Sequence, residues 1–145
     1  MPELRAIRAE ELSGVARAFV ATFNAAPWLE AWTVATASSF LTDLLTTPRA
    51  HAIAAWEDGN CLGAVLGQDA IRDRGLTHEV RELFVHPNAQ DRGVGRALME
   101  RHLTEAEVRG VTSTFLLTAR DSPAEAFYTR LGFRRAGRQI VLVRP

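Results

Sequence analysis

Apolar positions along the chain change their spacing several times, and each change marks a predicted element. Glu3 to Arg8 alternates as a short strand, and Ala9 to Ala25 then carries Leu12, Val15, Ala16, Phe19, Val20 and Phe23 at helical spacing. Pro27 interrupts that helix, and Thr33 to Leu45 reads as a second one ending near Pro48. His51 to Trp56 and Cys61 to Gln68 are apolar runs joined by the turn-forming Glu57-Asp-Gly-Asn60, the pattern of an antiparallel hairpin. Asp69 to Gly75, with four charged residues and a glycine, reads as a loop.

The second half alternates strands and helices. Thr77 to Val85 is a strand, Val94 to Arg109 a helix, Thr114 to Ala119 a strand, Pro123 to Leu131 a helix, and Phe133 to Val143 supplies the last strands. A helix between the strands near residues 80 and 115 makes them parallel neighbours through a crossover. The expectation is an α/β chain with a mixed sheet flanked by helices, in one domain spanning residues 1–145.

The junction at Glu82-Leu-Phe-Val-His-Pro-Asn-Ala-Gln-Asp-Arg-Gly-Val-Gly-Arg-Ala-Leu-Met99 carries the strongest chemical signal. A strand leads through Gly93-Val-Gly95 into a helix, so the free amides of Val94 to Ala97 and the positive end of the helix dipole face an incoming anion. Arg92 and Arg96 add positive charge beside them.

The order Gln90-Asp91-Arg92-Gly93-Val94-Gly95 resembles the Gln/Arg-x-x-Gly-x-Gly/Ala signature of the GNAT superfamily of N-acetyltransferases. A second stretch, Ser122-Pro-Ala-Glu-Ala-Phe-Tyr-Thr-Arg-Leu-Gly-Phe133, resembles the late helix of the same family. There Ala124, Tyr128, Gly132 and Phe133 fill the pattern Ala-x-x-x-Tyr-x-x-x-Gly-Phe. The resemblance covers roughly residues 60 to 145 and implies a GNAT fold whose splayed parallel strands hold acetyl-CoA, with a final hairpin after the late helix. It implies that Gln90, Asp91, Arg92, Gly93, Val94, Gly95, Arg96 and Ala97 cradle the pyrophosphate. Exposed backbone of Leu83, Phe84 and Val85 is then expected to pair with the acyl-carrying arm, with Ala124 lining the late helix beside the cosubstrate.

An alkyl ammonium, with a pKa near ~10.4, must lose a proton before it attacks a thioester. His78-Glu-Val-Arg-Glu82 offers Glu82 as the favoured base and Glu79 as the second; a bulge in this strand would upset simple face alternation. His78 is a third possible base, read as a solvated residue at a loop edge. The resemblance assigns Tyr128, the chain's only tyrosine, as the acid that protonates the departing thiolate. Asp121 stands where many members carry an asparagine that binds CoA; an aspartate accepts hydrogen bonds but donates none, and Asp121 or Ser122 equally suits the cap of the late helix. Phe23, Trp28 and Trp32 form either an aromatic wall for the acceptor amine or part of the core.

Composition narrows the partners. Lys+Arg and Asp+Glu both number 17, so no charge excess marks a nucleic-acid or membrane partner. Every one of the basic residues is arginine. Cys61 has no cysteine to pair with, which fits a reducing cytoplasm, and the scattered histidines show no metal-ligand spacing. No apolar run approaches the ~20 residues of a membrane span. The reading is an acetyl-CoA-dependent N-acetyltransferase acting on a primary amine of a small molecule or peptide, with a catalytically idle CoA-binding sensor of the same fold as the alternative. The apolar run Gln139-Ile-Val-Leu-Val143 leaves an internal strand and an exposed edge, and with it a homodimer, open.

Overall fold

A computed structural model describes residues 1–145. Five strands form one sheet in the order β1 to β5: Glu3–Arg5, Ala50–Glu57, Asn60–Arg72, Gly75–Val85 and Val111–Leu116. The first four pair antiparallel and β4 pairs parallel with β5, as the intervening helix requires. The helices are α1 (Leu12–Phe23), α2 (Val34–Thr46), α3 (Val94–Val108) and α4 (Pro123–Arg130).

Local chemistry sets the helix starts. Thr33 Oγ1 accepts from the Thr36 amide at 3.0 Å and the Thr36 hydroxyl accepts from the Thr33 amide at 3.0 Å, a reciprocal cap for α2. Ser122 does the same work for α4, accepting from the Glu125 amide at 3.1 Å, with Pro123 in the first turn where its missing N–H costs nothing. The first predicted helix opens instead as a 3-10 turn, Ala9–Glu11, because the Glu11 carboxylate folds back on the Arg8 amide and the Arg5 guanidinium.

The sheet is covered on both faces. Val15, Ala16, Phe19, Leu41 and Leu44 of α1 and α2 pack on Ala54, Trp56, Ala64, Leu66 and Phe84. On the opposite face Val94, Leu98 and Met99 of α3 meet Ile53, Ala55, Val65 and Val80. The alternation of Ile53/Ala55 with Ala54/Trp56 along β2 shows why its sequence is apolar throughout: both sides are buried.

Two expectations are corrected. Asp69 to Gly75 is no loop: β3 runs on to Arg72, pairing Ala70 with Thr77 and Arg72 with Gly75, and only Asp73 and Arg74 turn the chain. Asp69 is buried in that strand because the Arg109 guanidinium neutralises it and the ring nitrogens of His78 and His51 approach its oxygens at 2.7 and 3.2 Å. Phe133 to Val143 forms no strands; the residues after α4 join no ladder, and Ile140, Val141, Leu142 and Val143 are exposed. An apolar run supplies side chains for a strand, but a strand exists only where a partner edge takes its backbone hydrogen bonds.

Candidate active site

β4 holds the site because it parts from β5 halfway along. The parallel ladder runs from Leu76 beside Val111 to Val80 beside Leu116 and stops there, while β3 stays paired with β4 as far as Val85. The β5-facing backbone edge around Leu83, Phe84 and Val85 is therefore left without a strand. A bulge assists: the β3 register skips Arg81, passing from Val80 to Glu82. Val80 faces α3 while Phe84 lies in the α1–α2 core, so the bulge reverses the alternation and puts Glu82 on the Phe84 face. His78 falls on the other side, fully buried, and is no solvated loop histidine.

The loop after β4 is built to present amides. Gly93 sits at φ 77° and starts α3, whose first capping bond runs from the Ala97 amide to the Gly93 carbonyl at 3.0 Å. The amides of Val94, Gly95 and Arg96 thus have no carbonyl within the helix. A Cβ on Gly95 would stand 3.4 Å from Val85 Cγ2 and 3.6 Å from the Phe127 ring, in ordinary contact with both, so this turn lies directly against β4 and α4. Asp91, at φ 61°, shapes the bend before it. Gln90 turns inward, its amide nitrogen donating to the Val85 carbonyl at 3.0 Å, and the Thr22 hydroxyl reaches the same oxygen at 3.2 Å. The two arginines already have partners: Arg92 grips Glu57 at 3.0 and 3.1 Å, and Arg96 pairs with Glu100 at 2.7 Å. All four are solvent-exposed enough that these pairs are weak and exchangeable.

Glu82 and Tyr128 come from β4 and α4. Burial lifts the Glu82 carboxyl to about 7, with the Glu30 charge adding to the shift and Arg81 opposing it. Burial also lifts the Tyr128 hydroxyl to about 12, and the Glu82 charge contributes, which places the two groups in one electrostatic environment. Tyr128 is packed by Phe127 and Phe133, ring centroids 5.3 and 5.8 Å away, and its carbonyl accepts from the Phe133 amide. Glu79, half-buried as Glu82 is, differs in its partner: its carboxylate lies 3.8 Å from the Arg81 guanidinium.

The remaining predicted residues divide. Asp121 does not cap α4; it sits at φ 58° and accepts from Arg135 at 2.8 Å, while Ser122 is the cap. Ala124 is half-buried in the first turn of α4. Phe23 stacks edge-on with Trp28 at 5.3 Å, and Trp28 is exposed beyond it. Trp32 turns into the core, edge-on to Phe19 at 4.9 Å, and its indole donates to Glu30 at 3.0 Å. Glu30, Thr22 and Phe127 escaped the sequence reading, because their place beside the site depends on how α1, α4 and the α1–α2 connection fold back onto β4.

Comparison with known proteins fits this geometry. The acetyltransferase (GNAT) domain profile matches residues 48–135, and the chain belongs to that family. It is 43% identical over 55 residues to the ribosomal protein bS18 alanine N-acetyltransferase of Salmonella typhimurium, a match spanning 37% of either chain. Solved structures share the fold at low identity. An integron cassette protein from the mobile metagenome of V. cholerae has TM-score 0.84 at 17% identity, covering 99% of this chain and 92% of that one. A ribosomal-protein-alanine N-acetyltransferase from Brucella melitensis biovar Abortus has TM-score 0.80 at 20% identity, covering 99% of both. A soil metagenome aminoglycoside acetyltransferase solved with sisomicin has TM-score 0.73 at 16% identity, covering 99% and 95%. No helix is long and apolar enough to cross a membrane.

Proposed function

We propose that this chain is a single acetyltransferase domain that moves the acetyl group of acetyl-CoA to a primary amine of a small molecule or peptide, by direct attack on the thioester. The observation that carries this reading is that two half-buried groups, Glu82 and Tyr128, share one electrostatic environment beside an open strand edge. One group titrates near neutrality and the other stays protonated at every physiological pH.

The chain's own residues divide the work. The free amides of Val94, Gly95 and Arg96 hold the pyrophosphate, with Arg92 and Arg96 exchanging their surface carboxylates for it and Ala97 continuing the first turn behind them. Backbone groups of Leu83, Phe84 and Val85 take the acyl-carrying arm as a missing strand, and one of their amides receives the charge that develops on the carbonyl oxygen. Bound acetyl-CoA supplies the thioester. Glu82 accepts a proton from the acceptor ammonium, directly or through one water; the free amine forms the C–N bond as the C–S bond breaks, the Tyr128 hydroxyl gives its proton to the departing sulfur, and the second proton that nitrogen sheds on becoming an amide returns to the Tyr128 oxygen. Glu79, beside Arg81, is the second candidate for the base. Asp121 and Ala124 border the cosubstrate from α4, and Phe23, Trp28 and Trp32 border the acceptor. The free thiol of Cys61 suits a reducing cytoplasm, where we place the reaction. The relatives' names extend from an alanine of a ribosomal protein to an aminoglycoside, which supports an amine acceptor without choosing one.

The test is thiol release from acetyl-CoA against a panel of primary amines, for wild type, Tyr128→Phe and Glu82→Gln, with calorimetric CoA binding alongside. Turnover that collapses in both variants while CoA affinity holds supports the assignment. CoA binding without turnover of any amine would instead identify a CoA-binding sensor, and no CoA binding would overturn the reading altogether.

A further inference from the structure

On the α3 side of the sheet, away from Glu82, a polar cluster interrupts the apolar core. Asp69 of β3, His78 of β4 and His102 of α3 are 3%, 0% and 1% exposed. His78 Nδ1 lies 2.7 Å from Asp69 Oδ1, and His78 Nε2 lies 2.7 Å from His102 Nε2. Arg109 closes the far side, its guanidinium 2.7 and 3.0 Å from the two Asp69 oxygens, and His51 of β2 approaches Asp69 at 3.2 Å. Glu105 adds its charge from α3, and its carboxylate pairs with Arg101. Room for the histidine pair comes from Gly67, where a Cβ would stand 2.4 Å from His78 Nε2.

Donor and acceptor roles leave one arrangement of protons. Arg109 keeps Asp69 ionised, so His78 Nδ1 must carry hydrogen and donate to it. Neutral His78 then has a lone pair on Nε2, and His102 Nε2–H donates to that. The last nitrogen, His102 Nδ1, is buried and has no partner. A further proton has no satisfactory place. On His102 Nδ1 it would make a buried cation whose new N–H has no acceptor, and on His78 Nε2 it would drive His102 to its Nδ1–H tautomer, leaving that N–H buried without an acceptor beside a second buried cation.

We propose that the His78–His102 contact is an acid-released latch between α3 and the sheet: proton uptake by this pair breaks the contact and lets the helix lift. Burial holds both imidazoles below their ordinary range, His102 at about 3, with the neighbouring cationic and imidazole groups contributing and Asp69 opposing. Opened to water, each returns toward about 6.5, so below that pH the open form gains protons that the closed form refuses. The open population then rises up to tenfold per pH unit for each proton taken up. α3 also begins at Gly93, so lifting it disturbs the amide loop. That consequence rests on the proposed function, whereas the latch does not.

Amide hydrogen exchange along α3 between pH 7.5 and 5, corrected for intrinsic exchange, reads the latch, and nitrogen NMR of the imidazoles reads its protons. In wild type, protection over Leu98 to Ala106 is expected to fall about tenfold per pH unit below pH 6, while His102 stays neutral until those amides open. His102→Gln, which does not titrate, is expected to lose this pH dependence; His51→Asn, which removes the half-exposed histidine, is expected to keep it. Titration of His102 near 6.5 with α3 protection unchanged would overturn the latch, as would an identical acid response in His102→Gln. Should that variant not fold, coincidence of imidazole protonation with α3 opening in wild type supports the latch, and separation of the two transitions overturns it. Calorimetric CoA affinity over the same range tests the loop separately, with the pH dependence of wild type compared against His51→Asn and His102→Gln.

Discussion

The side-chain amide of Gln90 donates to the carbonyl of Val85 at 3.0 Å, tying the turn that precedes α3 to the end of β4. Two pieces of the candidate site are thereby held in register: the free amides at Val94–Arg96 and the strand edge at Leu83–Val85. The Thr22 hydroxyl lies 3.2 Å from the same oxygen, but its one hydrogen is nearer the Ala18 carbonyl at 2.8 Å, so Gln90 is the main side-chain donor, and water can serve this carbonyl at the exposed turn when Gln90 is lost. Gln90→Ala is therefore expected to leave the fold intact and weaken CoA by about fivefold, the worth of roughly 1 kcal/mol for an exposed hydrogen bond. Calorimetry on the variant checks this; an unchanged affinity would show that the loop holds its shape without the tether.

On the proposed function, Glu82 is expected to set the pH dependence of turnover. A base at about 7 is protonated and idle in acid, so activity rises with pH through about 7. The acceptor amine also titrates, which is why the ratio of wild type to Glu82→Gln is the informative quantity: the amine's contribution cancels, and the ratio is expected to climb about tenfold per unit below pH 7 and flatten above it. A ratio independent of pH would remove Glu82 as the base and favour Glu79.

The same carboxyl costs stability. Its pKa is 4.5 in the unfolded chain and about 7 in the folded one, so as pH rises between these values the unfolded chain ionises first and the native state weakens. Glu82→Gln, with no proton to lose, is expected to match wild type near pH 4.5 and to exceed it at pH 8 by on the order of 2 kcal/mol. Urea midpoints at the two pH values measure the difference.

These sites were unequally legible in the sequence. Gly93-Val-Gly95 and Ser122-Pro123 announce a helix start because caps and left-handed turns are written in adjacent residues. Tyr128 was found by its spacing to Gly132 and Phe133. Asp69 was read as a loop residue because its partners are Arg109, 40 positions on, and histidines of other strands. His78 looked solvated for the same reason: its partner His102 is 24 residues away, and only the sheet register and the α3 packing bring them together. The bulge at Arg81 decides whether Glu82 faces α1 or α3; charged residues stand on both sides of it at Glu79, Arg81 and Glu82, so alternation does not fix its position. The apolar run Ile140 to Val143 erred the other way, since hydrophobicity without a partner edge makes no strand.

Gly63 tests how tightly β3 governs the strand edge. A Cβ there would fall 2.3 Å from the Phe84 carbonyl oxygen and 3.0 Å from Val85 Cα, both backbone atoms with nowhere to go. Gly63→Ala is expected to cost about 1–3 kcal/mol and to lower CoA affinity by displacing Phe84 and Val85. Gly59→Ala serves as the control: its Cβ meets nothing within 4 Å, so only the backbone strain of φ 78° is felt, and CoA affinity is expected to stay at the wild-type value.

Trp28 and Trp32 are separated by four residues and by their roles. Trp28 is 46% exposed and touches the fold chiefly through the edge of Phe23, so its removal costs the protein little. Trp32 packs on Phe19 and Phe40 at 4.9 and 5.3 Å, and its backbone is held by both ends of the Asn24 amide at 2.8 and 2.9 Å. Trp32→Ala is thus expected to lose about 3 kcal/mol of stability, as large core deletions do. Trp28→Ala is expected to leave stability and CoA affinity unchanged and to raise KM for a cationic amine by roughly 2- to 30-fold, the range of a cation–π contact worth about 0.5–2 kcal/mol. The comparison needs a cationic and a neutral aromatic amine. If the ring attracts charge, the loss is larger for the cation; if it offers only an apolar surface, the two suffer alike; and if neither KM moves, the acceptor does not pass over this wall and Glu30, bonded to the Trp32 indole, becomes the next residue to change.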